Sequence, residues 1–174
     1  MFLTVGASHS FSQNLSEEEL KLYDLIMEYR KENNLPSIPI SKSLTLVAQA
    51  HVTDLQNNHP DQGSCNAHSW SSKGSWSSCC YTPDHVKAEC MWSKPRELTS
   101  YPGNGYEIAF GSSDPRYKGF RPSAISALQS WKDSSGHNAV IINQGSWKDS
   151  QWNAIGIGLY GGFAVVWFGA EPDK

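Results

Sequence analysis

Charge is scarce in this chain and neither sign dominates. Charged residues make up 18% of its 174 positions, and the formal net charge is −3. A nucleic-acid backbone is therefore excluded as the main partner, because that binding is driven by clustered Lys and Arg. No apolar run approaches the length needed to span a bilayer, so no transmembrane segment is expected. Three catalytic signatures are also missing: the G-x-S-x-G elbow, the phosphate-binding P-loop and the H-E-x-x-H helix. Gly156-Ile157-Gly158-Leu159-Tyr160-Gly161 does match G-x-G-x-x-G. A dinucleotide fingerprint must open a helix, with an acidic residue about 20 positions on. Here a strand pattern comes next, so these glycines are expected to serve close packing and a turn.

What the chain does have is apolar mass and aromatic rings. Hydrophobic residues make up 39%, with seven Trp and seven Tyr. That suits one globular domain with a real core, placed at residues 14–174. Residues 1–13 read either as the remnant of a secretory signal peptide, from Phe2, Leu3, Val5 and the small-x-small Ser10 and Ser12, or as a disordered N-terminus. Cys65, Cys79, Cys80 and Cys90 fall within one loop-like stretch at about residues 57–105. An even count beside a signal remnant points to two disulfides and an oxidising compartment. A bridge between the adjacent Cys79 and Cys80 is strained, so Cys65 joins one of them and Cys90 the other. A zinc site in these cysteines is weaker, since there is no C-x-x-C pair.

Ser16 and Glu19 form a capping box, followed by Leu22, Ile26 and Tyr29 at helical spacing. Pro36 and Pro39 force an extended segment. A second helix then presents Leu44, Val47, Ala48, His51, Val52 and Leu55 on one face. His51 reads there as a satisfied core histidine and not a ligand. A third helix covers about residues 123–133, and Gly136 should break the chain just before His137. The β-branched run Val140-Ile141-Ile142 should anchor the chain beyond that break. Residues 152–159 and 163–168 flank Gly161-Gly162 as a hairpin. The pentapeptide Ser130–Ser134 recurs at residues 146–150, but two short copies do not make a repeat architecture.

The candidate site residues are His68, Glu107 and His137, all in or beside loops. Two imidazoles and a carboxylate could hold a divalent cation such as Zn2+, or share protons in a polar cleft. Glu107 stands among apolar neighbours, which calls for a partner.

In series these residues resemble the CAP superfamily, which holds the cysteine-rich secretory proteins, antigen 5 allergens and plant pathogenesis-related proteins. W-K-D-S-S-G-H-N-A-V-I-I-N, from Trp131 to Asn143, is similar to the bacterial signature W-x-x-S-x-G-H-x-x-x-I-L-N. Ala48 to Leu55 resembles A-x-x-H-A-x-D-M, Asn66-Ala67-His68-Ser69 the first cleft histidine, and Gly105 to Ala109 the G-E-N-I-A phrase. The resemblance implies an α+β fold, a three-layer α-β-α sandwich with a small, mainly antiparallel sheet. It implies a cleft where His68 and His137 meet acidic residues. Ungapped, Tyr106 falls on the family glutamate, while Glu107 is its chemical equivalent. Ser134 stands where animal members carry a second acid, and the cysteine-bearing insertion matches no family pattern.

The expected function is that of a secreted or periplasmic binding protein, a monomer taking a lipid, sterol, glycan or protein ligand. The alternatives are a metal-dependent hydrolase using the same cleft, with His68, His137 and Glu107 on the metal, and a structural envelope protein. No other cofactor is expected. Protein purified without reductant should show no free thiol by intact mass, and should gain four hydrogens on reduction; four free thiols would refute the disulfide framework.

Overall fold

The computed structural model describes residues 14–173; the reading of residues 1–13 lies outside them. Helix α1 (Glu17–Glu32) starts at the capping box, with Ser16 Oγ accepting from Glu19 N and Glu19 Oε2 from Ser16 N. Glu19 does more than cap. Its Oε1 accepts from Leu159 N at 3.0 Å, so a buried carboxylate ties the start of α1 to a strand. At the other end Arg30 is buried, and its guanidinium donates to Pro36 O, Ile141 O and Asn143 Oδ1. Burial pulls its pKa down to about 10.

The proline-bounded segment is extended and bridges Ile40 to Ile155. Helix α2 (Lys42–Asn58) comes next, capped by Ser41. No acid stands in its first turn; Asp173, from the far end of the chain, accepts from Ser41 Oγ and Ser43 N instead. An anion there complements the helix dipole.

Strands β1 (Gly105–Gly111), β2 (Ala154–Tyr160) and β3 (Phe163–Gly169) form an antiparallel sheet in the order β1-β3-β2. Side chains alternate between its two faces, and each face carries a core. Ile108, Ile155, Ile157, Val166 and Phe168 pack against α1, α5 (Ala124–Asp133) and α6 (Ser135–Ile141). Ala154, Phe163, Val165 and Trp167 pack against α2 and the long loop. The architecture is the expected three-layer α-β-α sandwich. Short helices α3 (Glu89–Trp92) and α4 (Lys94–Leu98) lie within the long loop.

The structure corrects the reading of Gly136. The chain turns two residues earlier, at Ser134, which is extended between α5 and α6. Gly136, His137 and the β-branched Val140-Ile141 are all helical. Packing overrides propensity, since Val140, Ile141 and Ile142 are buried in the first core. Asn143 ends the motif in the left-handed region, φ 50°. Its amide is held by Trp147 O, Ser150 O and Arg30. The echoed pentapeptide takes two conformations, helical up to Asp133 and a 3-10 turn at Gly145–Trp147.

The glycines of the rejected fingerprint do pack closely. A Cβ on Gly156 would sit 2.1 Å from the Leu44 carbonyl carbon, and one on Gly158 2.5 Å from Ala48 O. Helix α2 thus lies with its backbone directly on β2. Gly161 takes φ +58° in the hairpin turn. Gly156→Ala should cost about 1–3 kcal/mol as overpacking against backbone, read as a lowered urea midpoint. Gly136→Ala, with nothing within 4 Å of the added carbon, should instead stabilise by about 0.5–1 kcal/mol as a plain helical alanine.

Candidate functional site

Two disulfides, Cys65–Cys80 and Cys79–Cys90, staple the long loop and satisfy the pairing rule that kept Cys79 and Cys80 apart. Between them Trp70 and Cys79 pair as an antiparallel bridge. Asn66 Oδ1 accepts from His68 N at 3.0 Å, a turn that fixes the backbone of His68. The loop is strapped to α2 by two side chains one helical turn apart. His51 Nε2 donates to Ser69 O at 2.9 Å, and Asp54 accepts from Ser71 N at 2.7 Å and Ser71 Oγ at 2.5 Å.

Glu107 is the third residue of β1 and faces α2; Tyr106 faces the opposite core, in ring contact with Trp92, Trp147 and Trp152. The choice between them is settled in favour of Glu107 as the residue beside His68. Its side chain is fully buried and serves two imidazoles. Oε1 lies 2.5 Å from His51 Nδ1, and Oε2 lies 2.8 Å from His68 Nδ1. Burial alone would push the Glu107 carboxyl up, but the charge and hydrogen bonds of His51 and His68 outweigh it and hold it below the ordinary value.

Ser69 O can only accept, so His51 Nε2 donates to it, while Nδ1 meets Glu107 Oε1 in the interior. Its ring stacks on Trp70, with centroids 4.2 Å apart and planes within 5°, and Trp167 meets it edge-on. His68 spends Nδ1–H on Glu107, which leaves Nε2 for a proton or a ligand. Its side chain is 18% exposed and meets Tyr81 edge-on. Burial and the Glu107 charge push the Tyr81 hydroxyl up.

His137 lies in the first turn of α6, half-buried. Burial, then the charge of His68, pull its pKa down; Glu107 pulls the other way. The charges of His68 and Glu107 both act on His137. No hydrogen bond joins His137 to the other two among the described residues. No group of three or more His, Cys, Asp or Glu is disposed to hold a metal ion among them either. The donor chemistry explains this, because both Glu107 oxygens already accept from imidazoles. A metal could draw on His68 Nε2 and His137, with Glu107 orienting His68 from behind, as carboxylates behind metal-bound histidines do.

His51 is the site residue that sequence reasoning placed only in the core. It is indeed buried and satisfied, but its partner is Glu107. The available signal was His51 and Asp54, two polar residues one turn apart on an otherwise apolar face.

The sequence pattern of the CAP family, described as the cysteine-rich secretory protein family, matches residues 23–148. No curated protein matches the chain. Among solved structures it is similar to an outer surface protein of Borrelia burgdorferi, at 19% identity and TM-score 0.58, covering 92% of this chain and 97% of that one. It is also similar to an extracellular protein containing an SCP domain from Bacillus anthracis str. Ames, at 18% identity and TM-score 0.57, and to a cysteine-rich secretory protein of Staphylococcus aureus, at 14% and 0.54. Each of these two matches covers 88% of this chain but only 40% and 39% of the other. At such identities the likeness is one of fold.

Removing Glu107 strips the His51 and His68 rings of their shared partner. Glu107→Ala should cost about 3–5 kcal/mol in chemical unfolding. Stability should also fall with acid in two stages. His137 binds its proton more weakly folded than unfolded, so stability starts to drop below pH 6.5. Glu107, with its folded pKa depressed, adds a second loss below about pH 4.5. His137→Asn should remove the first stage and leave the second, as read by urea midpoints across pH.

Proposed function

The chain belongs to the CAP family, and from that premise we propose that it acts outside the cytoplasm as a binding module whose ligand meets His68 and His137. Its disulfides suit an oxidising compartment. No helix among the described residues is long and apolar enough to cross a membrane. Two of its neighbours in fold are named for their location, an extracellular protein and an outer surface protein.

One observation carries the binding reading: Glu107, the carboxylate at the centre, has both oxygens taken by the protein's own imidazoles. A general base needs a nucleophile or water to deprotonate, within hydrogen-bond reach. No hydroxyl of the described residues bonds to His68 or His137, and all four cysteines are oxidised. What the centre offers is one imidazole nitrogen on a rigid support, beside a half-buried second histidine. That suits a polar group on a lipid, sterol, glycan or protein ligand. Fold by itself names none of these.

A metal-dependent hydrolase is the second reading, favoured by the carboxylate behind His68. Zn2+ at His68 and His137 would supply Lewis acidity to a bound carbonyl or water. The chain's own part would be Glu107 fixing the His68 tautomer and His51 fixing Glu107.

Two measurements separate these readings. Lipid, glycan and protein panels should show saturable binding that weakens at least about tenfold in the His68→Ala/His137→Ala double variant. Turnover on ester or peptide substrates without any such binding would sink the first reading. Zinc calorimetry decides the second, which fails if the double variant takes up zinc as the unaltered protein does.

A further inference from the structure

Seven large apolar side chains are well exposed among the described residues, and five of them gather at one end of the molecule: Leu20, Tyr117, Phe120, Ile125 and Tyr160. Backbone contacts fix their proximity. Ala124 N donates to Glu18 at 2.9 Å, and Leu159 N to Glu19 at 3.0 Å. Ile125 and Tyr160 therefore flank the start of α1, beside Leu20. Phe120 meets Phe110 edge-on at the end of β1. This end lies four residues along β1 from Glu107, about 13 Å away.

Beside Tyr117 and Phe120 is an open groove of about 480 Å³, lined also by Lys118, Arg121, Gln56 and Gly162. Its acid, Asp114, is neutralised by the Arg116 guanidinium at 2.7 Å. Lys118 and Arg121 enter no ion pair among the described residues. The groove therefore has a positive balance, and its rim reads Tyr117-Lys118-Gly119-Phe120-Arg121, ring and cation in alternation. Gly119 turns this tip at φ +84°, with open space around it.

We propose that this end of the molecule docks on an anionic lipid surface, with the rings of Tyr117 and Phe120 at headgroup depth and Lys118 and Arg121 on lipid phosphates. A water–lipid interface takes aromatic rings and basic side chains together, and each cation near such a surface adds attraction. A protein interface of ordinary kind keeps charge out of its centre, whereas here cations and rings alternate along one segment, residues 117–121. An exposed apolar patch of this kind marks an interaction site. The inference is independent of the His68 and His137 centre.

The test is co-sedimentation of the full chain with vesicles of phosphatidylglycerol and phosphatidylcholine in equal parts, and with phosphatidylcholine alone. Binding should require phosphatidylglycerol and weaken steeply with added salt. Lys118→Glu/Arg121→Glu should weaken it by roughly 30-fold or more, and Phe120→Ser by about tenfold. Ile40→Ser, an exposed apolar change outside the patch, should leave it unchanged; circular dichroism confirms that each variant is folded. The proposal is overturned if the unaltered protein ignores phosphatidylglycerol, binds both vesicles alike, or keeps its binding after charge reversal. It is equally overturned if sedimentation velocity shows a lipid-free dimer that Phe120→Ser dissociates, since the patch would then belong to a second copy. Glycerophosphate that shifts the amides of residues 118–121 in a protein that ignores vesicles would assign the groove to a free phosphate, and overturn the membrane proposal too.

Discussion

A carboxylate in a protein interior must find its counter-charge inside. Glu107 finds it twice, in His51 from α2 and His68 from the loop. Three separate parts of the chain are thereby committed to one point. The strand supplies the carboxylate, the long helix an imidazole with both nitrogens bonded, and the stapled loop the imidazole that still has a free nitrogen. Trp70 and Trp167 close over His51 and keep water from that pair. The disulfides then have a clear task. Without helix or sheet of its own, residues 59–88 could not hold His68 to hydrogen-bond tolerance; cross-links at Cys65 and Cys80 pin the loop on both sides of it.

The layered fold was legible because its signals are local and periodic. The capping box at Ser16, the apolar face of α2 and the Gly161-Gly162 hairpin all appear where spacing places them. His68, Glu107 and His137 were legible as chemical types in family order. What could not be read was pairing across distance. His51 and Glu107 are 56 positions apart, and nothing near either names the other. Gly136 misled for a related reason: the residue that turns the chain is Ser134, and burial made a helix of a run that favours strands. The choice between Tyr106 and Glu107 was open in sequence because a one-residue shift swaps the faces of a strand.

The departures from the family pattern fit one picture. Ser134 stands where animal members carry a second acid, so that position adds no carboxylate to Glu107. Both Glu107 oxygens are taken by imidazoles, so the centre reaches the solvent with imidazole groups and no free carboxylate oxygen. Ligand preference at such a place is set by donors and acceptors more than by net charge.

Gly156 and Gly158 let α2 sit on β2 backbone to backbone, and this has a mechanical consequence. Two notches on the strand receive two turns of the helix, so the helix can neither roll nor slide without collision. His51 lies one turn beyond Ala48, the second contact, and rolling by a single residue would swing it about 100° away from Glu107. The notches thus act as a keyway that sets the angle of an imidazole they never touch.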